Sequence, residues 1–165
     1  MQLWSDYVIA DSIEQALHTL ETAPGRACPI AGGSDLLVDL QQGARPPIHT
    51  LVDITHIPEL NCLELRGDIL FIGAALPVSV ITNSPLIYEH ATSVVEACRL
   101  IGGPQVRNTA TLGGNVAHAL PAADGTVALL AMDAHAEIAT IRGRRLEPAL
   151  NLFKGPGKSA LQLDR

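Results

Sequence analysis

Twice in this chain a short run of mainly apolar residues meets a Gly-Gly pair beside a small hydroxyl residue: Ala31-Gly32-Gly33-Ser34-Asp35 and Ala110-Thr111-Leu112-Gly113-Gly114-Asn115. A glycine pair between strand and helix leaves no Cβ to block a tight reversal. Successive backbone N–H groups then face one spot, and the following helix N-terminus adds partial positive charge there. Ser34 and Thr111 each supply a hydroxyl able to donate once more. Such a turn binds phosphate without lysine, and two of them suit the two phosphates of a dinucleotide pyrophosphate.

The spacing around the first pair predicts its setting. Ile13, Ala16, Leu17 and Leu20 repeat at helical intervals within Asp11 to Thr22, with Ser12 and Gln15 forming a capping box and Ala23-Pro24-Gly25 stopping the helix. Ala27 to Ala31 then reads as a strand, Ser34 as the cap of a helix carrying Leu36, Leu37 and Leu40, and Thr50 to Ile54 as a second buried strand. The first 55 residues therefore read as a β-α-β unit with parallel pairing. From residue 56 the pattern changes. Leu63, Leu65 and Ile69 to Ile72 flank Arg66-Gly67-Asp68 as an antiparallel hairpin, and Ser84 to Ile101 reads as mostly helical, with Val94, Val95, Cys98 and Ile101 on one face. After Gly102-Gly103-Pro104, the stretch Val106 to Gly114 leads into the second pair; Asp124 is expected to cap a helix through Met132, and His135 to Ile141 alternates as a strand. The fold class is α+β with two lobes, 1–55 and 56–165, the first small and parallel, the second an antiparallel sheet with helices.

Charge and composition exclude several functions. The net charge is -6, and only five aromatic residues, Trp4, Tyr7, Phe71, Tyr88 and Phe153, are present. Neither suits a nucleic-acid surface, which needs basic residues beside aromatic platforms. Cys28, Cys62 and Cys98 lie far apart with no C-x-x-C, and the six histidines show no H-E-x-x-H, so no metal site is expected and the thiols read as free. No apolar run approaches a membrane span, and no basic leader precedes Arg26, so a cytoplasmic protein is expected. Residues 142–165 carry six positive groups against Glu147 and Asp164, readable as a solvated tail or as a surface for an acidic partner. Gly155-Pro156-Gly157-Lys158-Ser159 mimics the end of a Walker A loop, but Leu152 stands where the first glycine is required. No G-x-S-x-G elbow nominates a nucleophile.

Three runs carry a family resemblance: Ile30 to Leu37, Ile101 to Asn115, and Pro121 to Asp124 continuing through Ala128 to Ala134. They resemble the FAD-binding subunit of the molybdenum hydroxylases, which includes the medium subunit of carbon monoxide dehydrogenase and the flavin domain of xanthine dehydrogenase. The resemblance covers essentially the whole chain, and Gln105-Val106-Arg107-Asn108 through Gly113-Gly114-Asn115 is its most specific part. It implies two glycine loops around the FAD pyrophosphate: Ile30, Ala31, Gly32, Gly33, Ser34 and Asp35 in the first, and Ala110, Thr111, Leu112, Gly113, Gly114 and Asn115 in the second. Ile101 would pack near the isoalloxazine and adenosine channel, and Asp124 would hydrogen-bond a polar group of the FAD. It further implies a molybdopterin-binding large subunit and a [2Fe-2S] small subunit as partners, with electrons leaving the flavin for NAD or a quinone. The family pattern continues past Arg165 into a last strand and a C-terminal domain that supply a lysine and apolar cover to the flavin ring. This chain is accordingly expected to be truncated. The alternatives are a flavin-less assembly module of the same complex and a stand-alone reductase of the enolpyruvyl type, the latter needing a substrate domain that this length leaves no room for.

Overall fold

Trp4, Tyr7, Val8 and Ile9 belong to a β-forming stretch, and in the computed structural model, which describes residues 2–161, they build strand β1 (Trp4–Ile9). Helix α1 (Ile13–Thr22), β2 (Ala27–Ile30), α2 (Leu36–Gln41) and β3 (Ile48–Asp53) follow. The three strands form a parallel sheet in the order β1-β3-β2, with Ile9, Asp53 and Ile30 level at its C-terminal end. Strand β3 is buried along its length except for a half-buried His49. A central parallel strand covered on both faces must be apolar in both alternations, which Leu51 and Val52 satisfy. Leu51 joins Cys28, Ile30 and Leu40 beneath α2, whereas Val52 joins Ala10, Ala16 and Ile57 beneath α1.

The sequence reading of this lobe holds in outline, with a one-residue earlier end for β2 and a two-residue earlier start for β3. It omits β1. It also assigns Ser34 as a helix cap, whereas Asp35 occupies that position with helical backbone angles and no side-chain bond. The cap of α1 forms as expected: the Ser12 hydroxyl accepts from the Gln15 amide at 3.1 Å, and the Gln15 side chain accepts from the Asp11 amide at 2.8 Å.

In the second lobe the hairpin β4 (Leu63–Arg66) and β5 (Ile69–Ile72) turns at Gly67 with φ +64°, as read from Arg66-Gly67-Asp68. Helices α3 (Val78–Thr82), α4 (Pro85–His90), α5 (Thr92–Leu100), α6 (Pro104–Arg107), α7 (Leu112–His118) and α8 (Asp124–Ala131) come next. The expected helix over 84–101 is in fact two, broken at Ala91 (φ -151°, ψ 54°), and Ser84 caps the first. Val78, Ile81, Ile87, Val94, Val95, Cys98 and Leu112 form the second core, on which Leu63, Leu70 and Ile72 of the hairpin pack. Burial pushes the Cys98 thiol up to about 11, and all three cysteines are free.

The chain finishes with two antiparallel hairpins, β6 (His135–Thr140) with β7 (Gly143–Pro148), and β8 (Phe153–Gly155) with β9 (Lys158–Ser159). The Walker-like glycines lie at the turn of the second. Within the basic stretch from 142, which stays largely exposed, Arg144 pairs with Glu59 and, at 2.8 Å, with Glu137, and Arg145 lies 3.5 Å from Glu147. Arg144 thereby ties the hairpin to the 3-10 turn Pro58–Asn61. Leu163, Asp164 and Arg165 lie outside the described residues. Among the described residues no helix is long and apolar enough to cross a membrane.

Asp53, 7% exposed, closes the C-terminal end of β3. Burial raises its carboxyl, but the Thr55 hydroxyl (2.6 Å), the Tyr7 phenol (2.6 Å) and the Thr55 amide (2.8 Å) all donate to it, and together they hold it below the usual carboxylate value. Burial and the bond to Asp53 push the Tyr7 phenol up to about 12. Replacement of Asp53 by Asn, which presents an NH2 group to donors, is expected to cost about 1–3 kcal/mol at neutral pH. Because the folded-state pKa is depressed, wild-type Asp53 stabilises the fold above its unfolded value of about 3.9 and loses that contribution as pH falls through its folded value. Urea unfolding of both proteins across pH should show the difference between them shrinking on the acid side.

Candidate functional site

Gly32 and Gly33 follow the last residue of β2, at the end of the parallel sheet where open α/β sheets commonly bind ligands. Gly33 has φ +69°, a conformation that costs a side chain about 1 kcal/mol or more. Gly32 needs to be bare for a different reason. A Cβ there would overlap the Thr109 carbonyl and stand 2.9 Å from the Ala110 Cα, so the first turn lies directly against the backbone entering the second glycine segment. The Gly33 carbonyl accepts from the Leu37 amide at 3.0 Å and starts α2. No hydrogen bond from the N–H groups of residues 31–35 to another described residue is present. Five consecutive donors without a partner among the described residues, in a half-exposed turn, are available to an anion. The Ser34 hydroxyl lies 3.4 Å from the Asp35 carboxylate.

The second segment is built differently from the sequence expectation. Ala110 is buried, and its carbonyl accepts from the Val78 amide at 2.8 Å. Thr111, also buried, is the N-cap of α7, so Leu112, Gly113, Gly114 and Asn115 are its first turn and not a loop. Three of these four amides have partners: Gly113 donates to the Ala74 carbonyl (3.1 Å), Gly114 to the Thr111 hydroxyl (3.0 Å) and Asn115 to the Thr111 carbonyl (3.0 Å). Gly113 is bare because a Cβ would stand 2.5 Å from that same Ala74 oxygen. The Gly113 and Gly114 amides, expected to serve a ligand, thus each have a partner within the chain, and the Thr111 hydroxyl accepts from Gly114 while keeping its own proton to donate. These residues position α7.

What α7 delivers is a side chain. Gly125 brings α8 against it so closely that a Cβ would meet Leu112 Cδ1 at 2.8 Å and Asn115 Oδ1 at 3.1 Å. Asn115 Oδ1 accepts from both the amide (3.0 Å) and the hydroxyl (3.1 Å) of Thr126, which leaves Nδ2 as its outward group. Asp124 is the first residue of α8 and not its cap, which is Ala123, and it makes no capping bond. Ile101 follows α5 directly.

A cleft of about 170 Å³ collects Asp35, Ile101, Asn115 and Asp124, four of the residues nominated from sequence, together with Gly102 and His118. Leu120, Ala122 and Ala123 complete its wall, beyond Ala119, which is buried and held at φ +56°. Ile30, Ala110, Thr111 and Leu112 are buried and do not line this cleft. His118 was missed. It stands three residues after Asn115 on the same helix face, a spacing that could have nominated it. Its Nε2 lies 3.4 Å from Asp39 and its Nδ1 3.9 Å from Asp35, while Arg45 holds Asp39 from the other side at 3.1 Å. No group of three or more metal-ligating side chains occurs among the described residues.

The family described as "FAD binding domain in molybdopterin dehydrogenase" matches residues 2–165. The chain is similar to the nicotine 6-hydroxylase medium subunit of Paenarthrobacter nicotinovorans, with 36% identity over 96% of this chain and 55% of that protein. It is 34% identical to a putative xanthine dehydrogenase FAD-binding subunit of Escherichia coli over 98% of this chain and 55% of that one. The carbon monoxide dehydrogenase of Hydrogenophaga pseudoflava, solved without the Mo-pyranopterin moiety, superposes with a TM-score of 0.92 at 31% identity, over 98% of this chain and 56% of the solved chain. The chain thus spans about half the length of the curated relatives it matches.

The contact at Gly32 predicts a large asymmetry between glycines. Gly32→Ala must push the Thr109 backbone aside and should cost about 2 kcal/mol or more in urea unfolding. Gly103→Ala, which meets only the flexible end of Gln105 at 3.3 Å, should stay within about 0.5 kcal/mol of wild type.

Proposed function

This chain belongs to the family of FAD binding domains in molybdopterin dehydrogenases, and we propose that it holds FAD with the pyrophosphate on the first glycine turn and the sugar hydroxyls over the cleft beside it. The carrying observation is the run of backbone N–H groups from Ala31 to Asp35 without a partner among the described residues, beside a cleft whose polar side chains are two carboxylates, one imidazole and one outward amide. Amides at a turn suit a dianion, and the carboxylates of Asp35 and Asp124 suit hydroxyl donors. Asn115 Nδ2 is free to donate, and Ile101 gives the cleft an apolar face. The lobes 1–55 and 56–165 act as the two jaws, joined where Gly32 meets Thr109.

FAD bound there supplies the electron exchange that no side chain of this chain can carry out. The chain's own contribution is binding, orientation and a fixed electrostatic field. Neither glycine segment contains a His or Cys, and His118, which does line the cleft, turns its ring nitrogens toward Asp35 and Asp39, so non-covalent binding is part of the proposal. The relatives are medium or FAD-binding subunits by description. These descriptions support a place in a multisubunit oxidoreductase; the fuller proposal is a molybdopterin-binding large subunit and a [2Fe-2S] small subunit as neighbours, a cytoplasmic complex, and NAD or a quinone taking the electrons.

FAD titration followed by absorbance near ~450 nm tests the reading. Wild type should take up FAD one-to-one and release all of it on acid precipitation. Gly33→Val should weaken binding about tenfold or more through lost charge-assisted bonds. Gly67→Val, equally strained at φ +64° but in the remote hairpin turn, should bind as wild type does. A colourless chain that takes up no FAD, or equal affinities for all three proteins, would refute the assignment and leave the assembly-module alternative.

A further inference from the structure

Residues 1–141 contain five arginines and no lysine against fifteen acidic groups, so a cation in this body ordinarily has a carboxylate beside it. Arg45 pairs with Asp39, and Arg66 pairs with Glu64 while stacking 3.6 Å over the Phe71 ring. Arg99 and Arg107 are different: neither has an ion pair with another described residue. Both line one cleft of about 300 Å³, with Ser79, Thr82, Asn83 and Asn108, and no acidic residue lines it. Two guanidinium groups in one cleft wall without an acidic residue beside them stand out in so acidic a protein.

The donors around this cleft divide into spent and free. Arg107 Nη1 donates to the carbonyls of Arg99 (3.1 Å), Ile101 (3.1 Å) and Gly102 (2.6 Å), which pins the guanidinium in one orientation at the end of α5. Its remaining N–H groups have no bonded partner among the described residues, and the same holds for the Arg99 guanidinium, the Ser79 hydroxyl and the Asn108 amide. Thr82 and Asn83 have both donated to the Ser79 carbonyl, at 3.1 and 2.7 Å. A guanidinium held by three carbonyls, with a second, exposed guanidinium and neutral donors in the same cleft wall, suits a tetrahedral oxyanion: several acceptor oxygens, two negative charges and no donor required. Because Arg107 is already immobilised, little conformational entropy remains to be lost there on binding.

We propose that the cleft between α3, α5 and α6 is an anion site that takes a phosphate group, either free or at the end of a small molecule. It is separate from the glycine turn of the flavin reading and independent of it. The segment Ile101–Asn108 lies between the two clefts.

The test is a 31P NMR titration at constant ionic strength with inorganic phosphate and, in parallel, with AMP and adenosine. Wild type should show saturable broadening with phosphate. Arg99→Gln, at an exposed position with no internal bond, should keep the wild-type melting curve and bind about tenfold more weakly. Gly33→Val should bind phosphate as wild type does. AMP binding more tightly than phosphate, with adenosine failing to compete, identifies a phosphorylated small molecule; equal binding identifies free phosphate. The proposal is overturned by no saturable binding of either anion, by competition from adenosine, or by binding that survives in Arg99→Gln and vanishes in Gly33→Val, since that pattern puts the anion on the glycine turn. The last outcome leaves the flavin reading untouched.

Discussion

The backbone of Gly32 lies so close to the Thr109 carbonyl that no side chain fits between them, and the arrangement of both lobes follows from that approach. Side-chain packing between lobes would tolerate a shift of an ångström or so by rotamer change. Backbone against backbone does not, because neither partner has a rotamer to change. Similar approaches recur at the neighbouring junctions. Gly73 lies against Leu60 and Cys62, Gly113 against Ala74, and Gly125 against Leu112 and Asn115. The cleft is thus bordered by main chain whose position is set by what glycine permits. This also explains why the amides of residues 31–35 stay unpaired: the turn is fixed by its contact with the second lobe and by the start of α2, so it does not need its own N–H groups to hold its shape.

From this constraint comes a division of labour between two motifs that look alike. The first pair presents donors, whereas the second spends its donors on the start of α7 and acts through what that helix carries. Asn115 and His118 reach the cleft because Thr111 caps the helix and Gly113 sets its position against Ala74. Seen from the cleft, the second glycine motif is a helix-docking device. Two bare positions in a helix's first turn cost roughly 1 kcal/mol each relative to alanine, a cost offset here by the close approaches they allow.

The parts of the fold written in local spacing were legible beforehand. The Ser12 and Gln15 cap, the Gly67 hairpin and the β-α-β order each rest on residues a few positions apart. What failed depended on distant partners. Strand β1 has three successive exposed residues and does not alternate cleanly, and its pairing with β3 is visible only once the sheet exists. The break at Ala91 is needed to turn α4 and α5 onto one core, which their shared apolar spacing conceals. The glycine pairs were legible as a constraint and not as a role, because identical dipeptides meet different backbones: Thr109 for Gly32, Ala74 for Gly113. Of the residues the sequence nominated, Asp35, Ile101, Asn115 and Asp124 meet in one cleft, and His118 joined them unforeseen.

An acidic cleft beside an anion-binding turn looks contradictory until the two kinds of donor are distinguished. Asp35, Asp39 and Asp124 would repel a bare anion, and Arg45 offsets part of that field through its pair with Asp39. Main-chain amides attract negative charge at short range through fixed dipoles, so the attraction falls away within a few ångströms while the carboxylate repulsion reaches farther. A simple anion therefore meets an unfavourable field before it reaches the turn. A molecule that carries a pyrophosphate flanked by polyol chains offers hydroxyl donors to the carboxylates at the same time as oxygens to the amides, and satisfies both. Selectivity in such a cleft comes as much from what the carboxylates reject as from what the turn accepts. The cleft lined by Arg99 and Arg107 has no carboxylate in its wall, so the repulsion that screens the acidic cleft against a bare anion is missing there.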